Sequence, residues 1–155
     1  MQSMILNIFN GLAIVATAVV FGTDVFFAVV GRKAVAKSKD GSIADLIGHF
    51  HEIADQRMPV FGVLAIITIL MQVVLNGLST LHGQFSVLSL IALLTHLMIY
   101  VKISKPINKI MVEGIKFGRM IGNIRELQQR WDSVIYLRAG VLLIALTGSI
   151  LINYL

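Results

Sequence analysis

Residues 58–101 contain no Asp, Glu, Lys or Arg, so 44 consecutive positions carry no formal charge. About 20 apolar residues are enough for a helix to cross the hydrocarbon core of a bilayer. The run therefore predicts two transmembrane spans, at residues 59–76 and 85–102, joined by a short connection. Only 14% of all residues are charged, against about 25% in soluble domains. This composition leaves too little polar surface for a soluble fold.

Two further apolar segments flank this run, at residues 4–31 and 133–155, and each contains a single charge. No Lys or Arg precedes Arg32, whereas a secretory signal begins with a positive region. We therefore expect residues 4–31 to form a mature transmembrane helix. Trp131 lies where an interfacial anchor is expected. The sequence predicts one all-α domain, an integral membrane four-helix bundle.

The charged residues between the spans are concentrated in residues 32–57 and 103–130. Both segments show amphipathic periodicity and are predicted to form helical extensions of the bundle. Pro59 predicts a kink or break after the first extension, and Ser104 followed by Pro106 predicts a new helix start. The predicted apolar stripe of the first extension comprises Ile43, Leu46, Ile47, Phe50, Ile53 and Ala54.

Three glycines in the second extension recur every four residues, at Gly114, Gly118 and Gly122. Each interior glycine costs a helix about 1 kcal/mol relative to alanine. Three on one face therefore predict close packing against a neighbouring helix, and a homo-oligomer could form through them. A flexible amphipathic arm is the alternative.

Eleven of the thirteen Lys and Arg residues lie in the two charged segments, and a twelfth, Lys102, directly precedes the second segment. The positive-inside rule then places residues 32–57 and 103–130 in the cytoplasm and both termini outside. We expect the protein to reside in the cytoplasmic (inner) membrane, with the lipid bilayer as its main partner. Basic residues divided between apolar spans are not typical of a nucleic-acid interface, so no nucleic-acid partner is expected. The absence of cysteine excludes thiolate metal sites.

Apart from Lys102 at the last position of the third span, Asp24 and Arg138 are the only formal charges inside the four spans. Asp24 lies eight residues from Arg32, and Arg138 lies eight residues from Arg130. At 1.5 Å per residue, both lie about 12 Å from the charged border. Since lone charges are costly at such a depth, an ion pair between the first and fourth helices is predicted. The pair could be a structural pin or the polar floor of a cytoplasm-facing cavity.

Four residues near the start of the second span, and one histidine within the third, have side chains that suit metal or proton chemistry. His96 could act as a general base or haem ligand, or be a neutral histidine hydrogen-bonded between helices. His49, His51, Glu52 and Asp55 are metal-ligand types, although their spacing differs from a His-Glu-x-x-His motif. The alternative for these four is a solvated, charged helix face.

Three short motifs carry a family resemblance: Pro-Ile-Asn at residues 106–108, Arg-Trp at 130–131 and Leu-Arg at 137–138. With the span count and loop order, they resemble the anthrone-oxygenase-like family of small four-helix membrane proteins. The few activities assigned in that family oxidise polyketide anthrones to quinones with molecular oxygen. The resemblance implies corresponding positions at Pro106, Asn108, Trp131 and Arg138.

The sequence thus favours a small membrane oxidoreductase or oxygenase acting on a flat, apolar aromatic molecule near the cytoplasmic face. His96 or His51 would be the base, and Arg138, near Asp24, would stabilise developing negative charge. The alternatives are a non-catalytic haem- or metal-binding protein and a structural or regulatory partner. Haem b, a divalent metal ion and no cofactor all stay open. Candidate cofactor-binding residues are His96, His49, His51, Asn108 and Trp131.

Overall fold

The computed structural model describes the backbone of residues 2–154 and the side chains of residues 4–154. This part of the chain is almost entirely helical and contains no strand. Four helices are long and apolar enough to cross a membrane, by length and composition. They are the first helix, Met4–Ala36, the second, Asp40–Asn76, the third, Leu81–Lys116, and the fourth, Ile124–Tyr154.

Three of these helices depart locally from α-helical geometry. The regular part of the first ends at Phe26 and is followed by a π-helical turn at Phe27–Gly31. The third has a second π-helical turn at Tyr100–Ser104. The fourth is divided by a turn at residues 133–134 and ends in a 3₁₀ turn, Ile152–Tyr154. Such single-turn π insertions are frequent at functional sites, and both lie beside the cavity described below.

The first and third helices both contact the second and the fourth, and near the charged segments the second helix also contacts the fourth. Polar side chains lie inside this arrangement, among them Asn10, Thr17 and Gln72. Large apolar side chains such as Val60 and Ile91 are instead exposed on the outer surface. An apolar exterior around a polar interior is compatible with contact to lipid, where unsatisfied polar groups are costly.

The second helix is continuous over 37 residues, so Pro59 does not break it. The predicted break at this junction is therefore wrong, and a kink within the continuous helix stays a prediction. Proline removes one backbone hydrogen bond, and long helices tolerate that loss where neighbouring groups satisfy the freed carbonyl. Residues 40–57 of the first charged segment are therefore continuous with the second predicted span, whereas residues 32–36 end the first helix.

The third helix is likewise continuous through Ser104, where a new helix start was predicted. Ser104 has helical backbone angles and makes no side-chain cap. Pro106 lacks the amide hydrogen needed by the preceding turn, and the π-helical turn Tyr100–Ser104 directly precedes it. The Ser-Lys-Pro signal therefore marks a change of helical geometry, not a boundary.

The glycine repeat does not form a helical ladder, which corrects the predicted packing face. The third helix ends at Lys116, and Gly118 has a φ of +59°. The Gly118 amide donates to Ile115 O and the Arg119 amide to Gly114 O, a Schellman helix end. Gly122 lies in the following loop. An oligomer interface built on these three glycines therefore has no common helix face.

The predicted stripe of the first extension is split between two faces. Ile43 and Ile47 are buried, whereas Leu46, Phe50 and Ile53 are exposed. The inward positions continue with a four-residue spacing to residue 51, so the helix is rotated relative to the predicted stripe. Because of this rotation, His51 is buried and lines the cavity described below.

Candidate functional site

A cavity of about 810 Å³ lies between the helices near the charged segments. Several of its wall residues, such as Phe26, Ile53 and Val63, also lie on the exposed apolar surface. The cavity therefore opens towards the outer surface between the first and second helices. Its polar lining residues are Thr17, Thr23, Asp24, His51, Asp55, Arg57, His96, Tyr100, Asn108 and Arg138.

Asp24 and Arg138 form the predicted ion pair across the first and fourth helices. The Arg138 Nη2 donates to Asp24 Oδ1 at 2.8 Å. The Asp24 side chain is 3% exposed and the Arg138 side chain is 8% exposed, so both charges are removed from solvent. Equal depth and opposite sign, read from the sequence, identified this contact.

His96 joins the pair from the third helix. Its Nε2 lies 3.1 Å from Asp24 Oδ2 and 3.4 Å from Arg138 Nε. One imidazole nitrogen cannot donate to the carboxylate and accept from the guanidinium at once. The shorter contact favours Nε2–H donating to Asp24, which leaves Nδ1 as the acceptor of the ring. His96 is thus hydrogen-bonded between helices, and it also lines the cavity.

The Arg138 guanidinium is held by three further groups. Its Nη1 donates to Ser104 Oγ at 2.8 Å. Its central carbon lies 5.5 Å from the Trp131 ring centre and 5.9 Å from that of Tyr100, within cation–π range. Tyr100 was not identified from the sequence, and Ser104 was interpreted as a cap. Their shared location in a π-helical turn leaves no recognisable sequence signal.

Asp55 belongs to a second polar contact on the cavity wall. Its Oδ1 accepts from the Tyr100 hydroxyl at 2.8 Å and from Asn108 Nδ2 at 2.9 Å. Among the described side chains, no cation lies within 4.0 Å of its carboxylate. Asp55 is therefore a carboxylate held by neutral donors at the edge of an apolar space.

Three buried polar atoms of the same region lack a hydrogen-bond partner within the described part of the chain: His51 Nε2, Asn108 Oδ1 and Trp131 Nε1. The His51 ring packs against Trp131 with centres 5.4 Å apart. Trp131 is buried and also packs on Phe27, which corrects its prediction as an interfacial anchor. A buried unpaired polar group costs about 1–3 kcal/mol, so these atoms are candidate contacts for a ligand or water.

The four predicted metal ligands are not brought together. His49 is exposed and lies 3.5 Å from Glu52, which in turn contacts Lys116 at 3.2 Å. His51 is buried beside the cavity, and Asp55 is engaged as described above. Within residues 2–154, no group of three or more His, Asp or Glu side chains is placed to hold a metal ion. The charged-face interpretation fits His49 and Glu52 but not His51.

The positions of the histidines determine which of them could ligate a haem in the cavity. His96 Nε2 is engaged with Asp24, and His49 does not line the cavity. His51 lines it and carries an unpartnered nitrogen. At this cavity, the unpartnered Nε2 therefore makes His51 the best-placed histidine to ligate a haem.

Comparison of the chain with protein-family models, curated proteins and solved structures finds no match. The contacts themselves define what the site can do. An apolar cavity ends at a carboxylate, an imidazole and a guanidinium in mutual contact. Such a set can bind the polar edge of an apolar molecule, move a proton and stabilise an anion.

Proposed function

We propose that the protein is a small membrane oxidoreductase of the oxygenase type, acting on a flat and mainly apolar aromatic substrate. One observation carries this proposal: the cavity of about 810 Å³ opens on the outer apolar surface and ends at Asp24, His96 and Arg138. Small-molecule sites are commonly about 300–1,000 Å³, mostly apolar, and contain a few convergent polar groups.

The lining suits a flat molecule that arrives through the bilayer. Phe27 lies edge-on to Phe50 and to Trp131, with ring centres 6.2 and 5.4 Å apart. Aromatic walls of this kind favour an aromatic substrate through edge and stacking contacts. The unpartnered atoms of His51 and Asn108 would receive its hydroxyl or carbonyl groups.

The chemistry requires a substrate with an acidic CH₂ group between two aromatic rings that conjugate it to a ketone, as in an anthrone. His96, oriented by Asp24, would remove a proton, and Arg138 would stabilise the resulting enolate oxygen. The carbanion then reacts with molecular oxygen. Overall, a CH₂ group and O₂ give a C=O group and water, so one oxygen atom is retained and the other leaves as water. The resemblance in residues 106–108 and 130–131 supports this substrate class.

The membrane arrangement is part of the same proposal. The four helices would span the cytoplasmic membrane as a bundle, with residues 32–57 and 103–130 as cytoplasmic extensions and both termini outside. The distribution of Lys and Arg supports this orientation. The site would then lie near the cytoplasmic face.

Oxygen uptake and quinone absorbance, followed with purified protein and anthrone, test the reaction. Loss of a general base lowers a rate by about 10²–10⁴-fold, so His96→Gln should lower both signals in that range. Arg138→Gln should also lose activity, whereas His49→Gln, on the exposed face, should not. Equal rates in His96→Gln and wild type, or no oxygen uptake above buffer, would refute the proposed mechanism.

A non-catalytic haem protein is the second candidate, and the unpartnered His51 nitrogen at the cavity favours it. The purified protein would then show a Soret band. His51→Ala should remove that band while His49→Ala keeps it. A colourless protein purified from haem-replete cells would eliminate this candidate and leave the cofactor-free reaction.

A further inference from the structure

A second cavity, of about 370 Å³, lies at the opposite end of the helices, where the first helix starts and the second ends. All four helices contribute to its wall. Unlike the first cavity, it has amide side chains on most sides and no Asp, Glu, Lys or Arg among the described lining residues. These are Leu6, Asn7, Asn10, Gln72, Asn76, His82, Ile152 and Asn153.

Asn10 is held at the wall of this cavity by two hydrogen bonds. Its Nδ2 donates to Ser149 O at 3.0 Å and to Asn153 Oδ1 at 2.8 Å. Only 1% of the residue is exposed, yet Asn10 Oδ1 has no hydrogen-bond partner within the described residues. Since both amide hydrogens are directed to the fourth helix, the side-chain oxygen of Asn10 is a free acceptor that a ligand's donor group could bind.

Gln72 fixes the other wall. It is fully buried, and its Nε2 donates to the backbone oxygen of Leu6. Its Oε1 accepts from Asn76 Nδ2 at 2.8 Å. The amides are thus held in place by one another and by the backbone of the first helix, so the cavity is a built polar site.

We propose that this second cavity binds an uncharged, hydroxyl-rich group, either a free polyol or the sugar headgroup of a lipid. A hydroxyl both donates and accepts, which matches Asn10 Oδ1 and the mixed donors and acceptors of the amides and His82. The uncharged lining offers no counter-charge, so a charged ligand would lose its hydration without compensation. The proposal is independent of the reaction assigned to the first cavity.

Binding can be measured with a reporter beside the cavity, because the chain contains no cysteine. A fluorophore on Leu78→Cys, an exposed position in the connection after the second helix, reports on this end of the protein. Glycerol and glucose test the free source, and a monoglucosyl diacylglycerol in nanodiscs tests the lipid source. Sodium gluconate, similar in size to glucose but charged, is the matched control ligand.

The expected result is a saturable signal with an uncharged probe, weakened about two- to tenfold by Asn10→Leu, as the loss of one hydrogen bond implies. Asn7→Leu, at an exposed position of the same wall, keeps the test valid if Asn10→Leu does not fold. Asn123→Leu, in the distant loop, should bind as wild type. Absence of saturation with all three uncharged probes, equal binding by both cavity variants and wild type, or tighter binding of gluconate than of glucose would each overturn the proposal.

Discussion

Asp24 and Arg138 should be energetically coupled, and a double-mutant cycle measures this directly. The two side chains are 3% and 8% exposed and their atoms meet at 2.8 Å. Removing one partner of a buried pair leaves the other charge uncompensated, which costs roughly 3–5 kcal/mol. Asp24→Asn and Arg138→Gln should therefore each destabilise the protein in detergent by about that amount.

The surroundings of the pair predict which variant loses more. In Arg138→Gln, His96 still donates to Asp24, so the carboxylate keeps one partner. In Asp24→Asn, the guanidinium keeps Ser104, the two aromatic rings and His96 Nε2 at 3.4 Å, and no anion replaces the carboxylate among the described contacts. Asp24→Asn should be the more damaging change.

The double variant decides whether the contact is real. Additive losses would total about 6–10 kcal/mol, whereas residues in contact show coupling of about 0.5–3 kcal/mol. Unfolding followed by denaturant titration in mild detergent gives the four free energies. The exposed pair Lys109 and Glu113, 3.8 Å apart, is the matched control, since such pairs contribute about 0.3–0.5 kcal/mol. Strictly additive losses for Asp24 and Arg138 would refute the first-to-fourth-helix contact.

Three further predictions test the helix end, the cavity and the topology. Gly118→Leu should cost about 1–2 kcal/mol, because its φ of +59° is strained for an L side chain, whereas Gly122→Leu should melt as wild type; equal melting would contradict the Schellman end. Gly62→Leu should fill the first cavity and abolish anthrone binding without loss of stability, since a Cβ there meets no atom within 4 Å; unchanged binding in a titration would remove the cavity from the mechanism. In intact cells, Lys116→Cys should react with an impermeant thiol reagent only from the cytoplasm and Asn153→Cys only from outside, and labelling of the latter from the cytoplasm alone would reverse the orientation.

The depth of a charged residue along its helix could be predicted from the sequence, and this depth was sufficient to predict the ion pair. Each residue advances a helix by 1.5 Å, so counting from the charged border places Asp24 and Arg138 at one level without any knowledge of packing. The same reasoning predicted the four spans, because their length and apolar composition are local properties. These features required no information about which helix faces which.

Which face of each helix is buried could not be predicted, since contacts with residues distant in the sequence determine it. The periodicity of residues 43–54 is compatible with more than one buried face. The face that is buried in the structure includes His51, which contacts Trp131, 80 positions further along the chain. A four-residue glycine spacing is equally compatible with a ladder and with a helix end. The left-handed conformation at Gly118 ends the helix, and the side chain of Ile121 then folds back against Gly114.

One sequence signal does point to both cavities once the apolar exterior is taken into account. In a helix surrounded by lipid, polar residues on one face mark the interior. Asn10 and Asp24 on the first helix are 14 residues apart, about 21 Å, and each lines a different cavity. His82 and His96 on the third helix are also 14 residues apart, and they likewise line different cavities: His96 the first and His82 the second.

The two cavities are separated by a layer of small and apolar side chains. Ala13, Ala65, Ile69 and Ala145 are fully buried in this layer, and they belong to one apolar cluster with no formal charge. Small side chains let the helices approach closely, which closes the space between the polar ends. A ligand in one cavity therefore has no direct contact with the other, and the two sites can carry independent chemistry on one shared face of each helix.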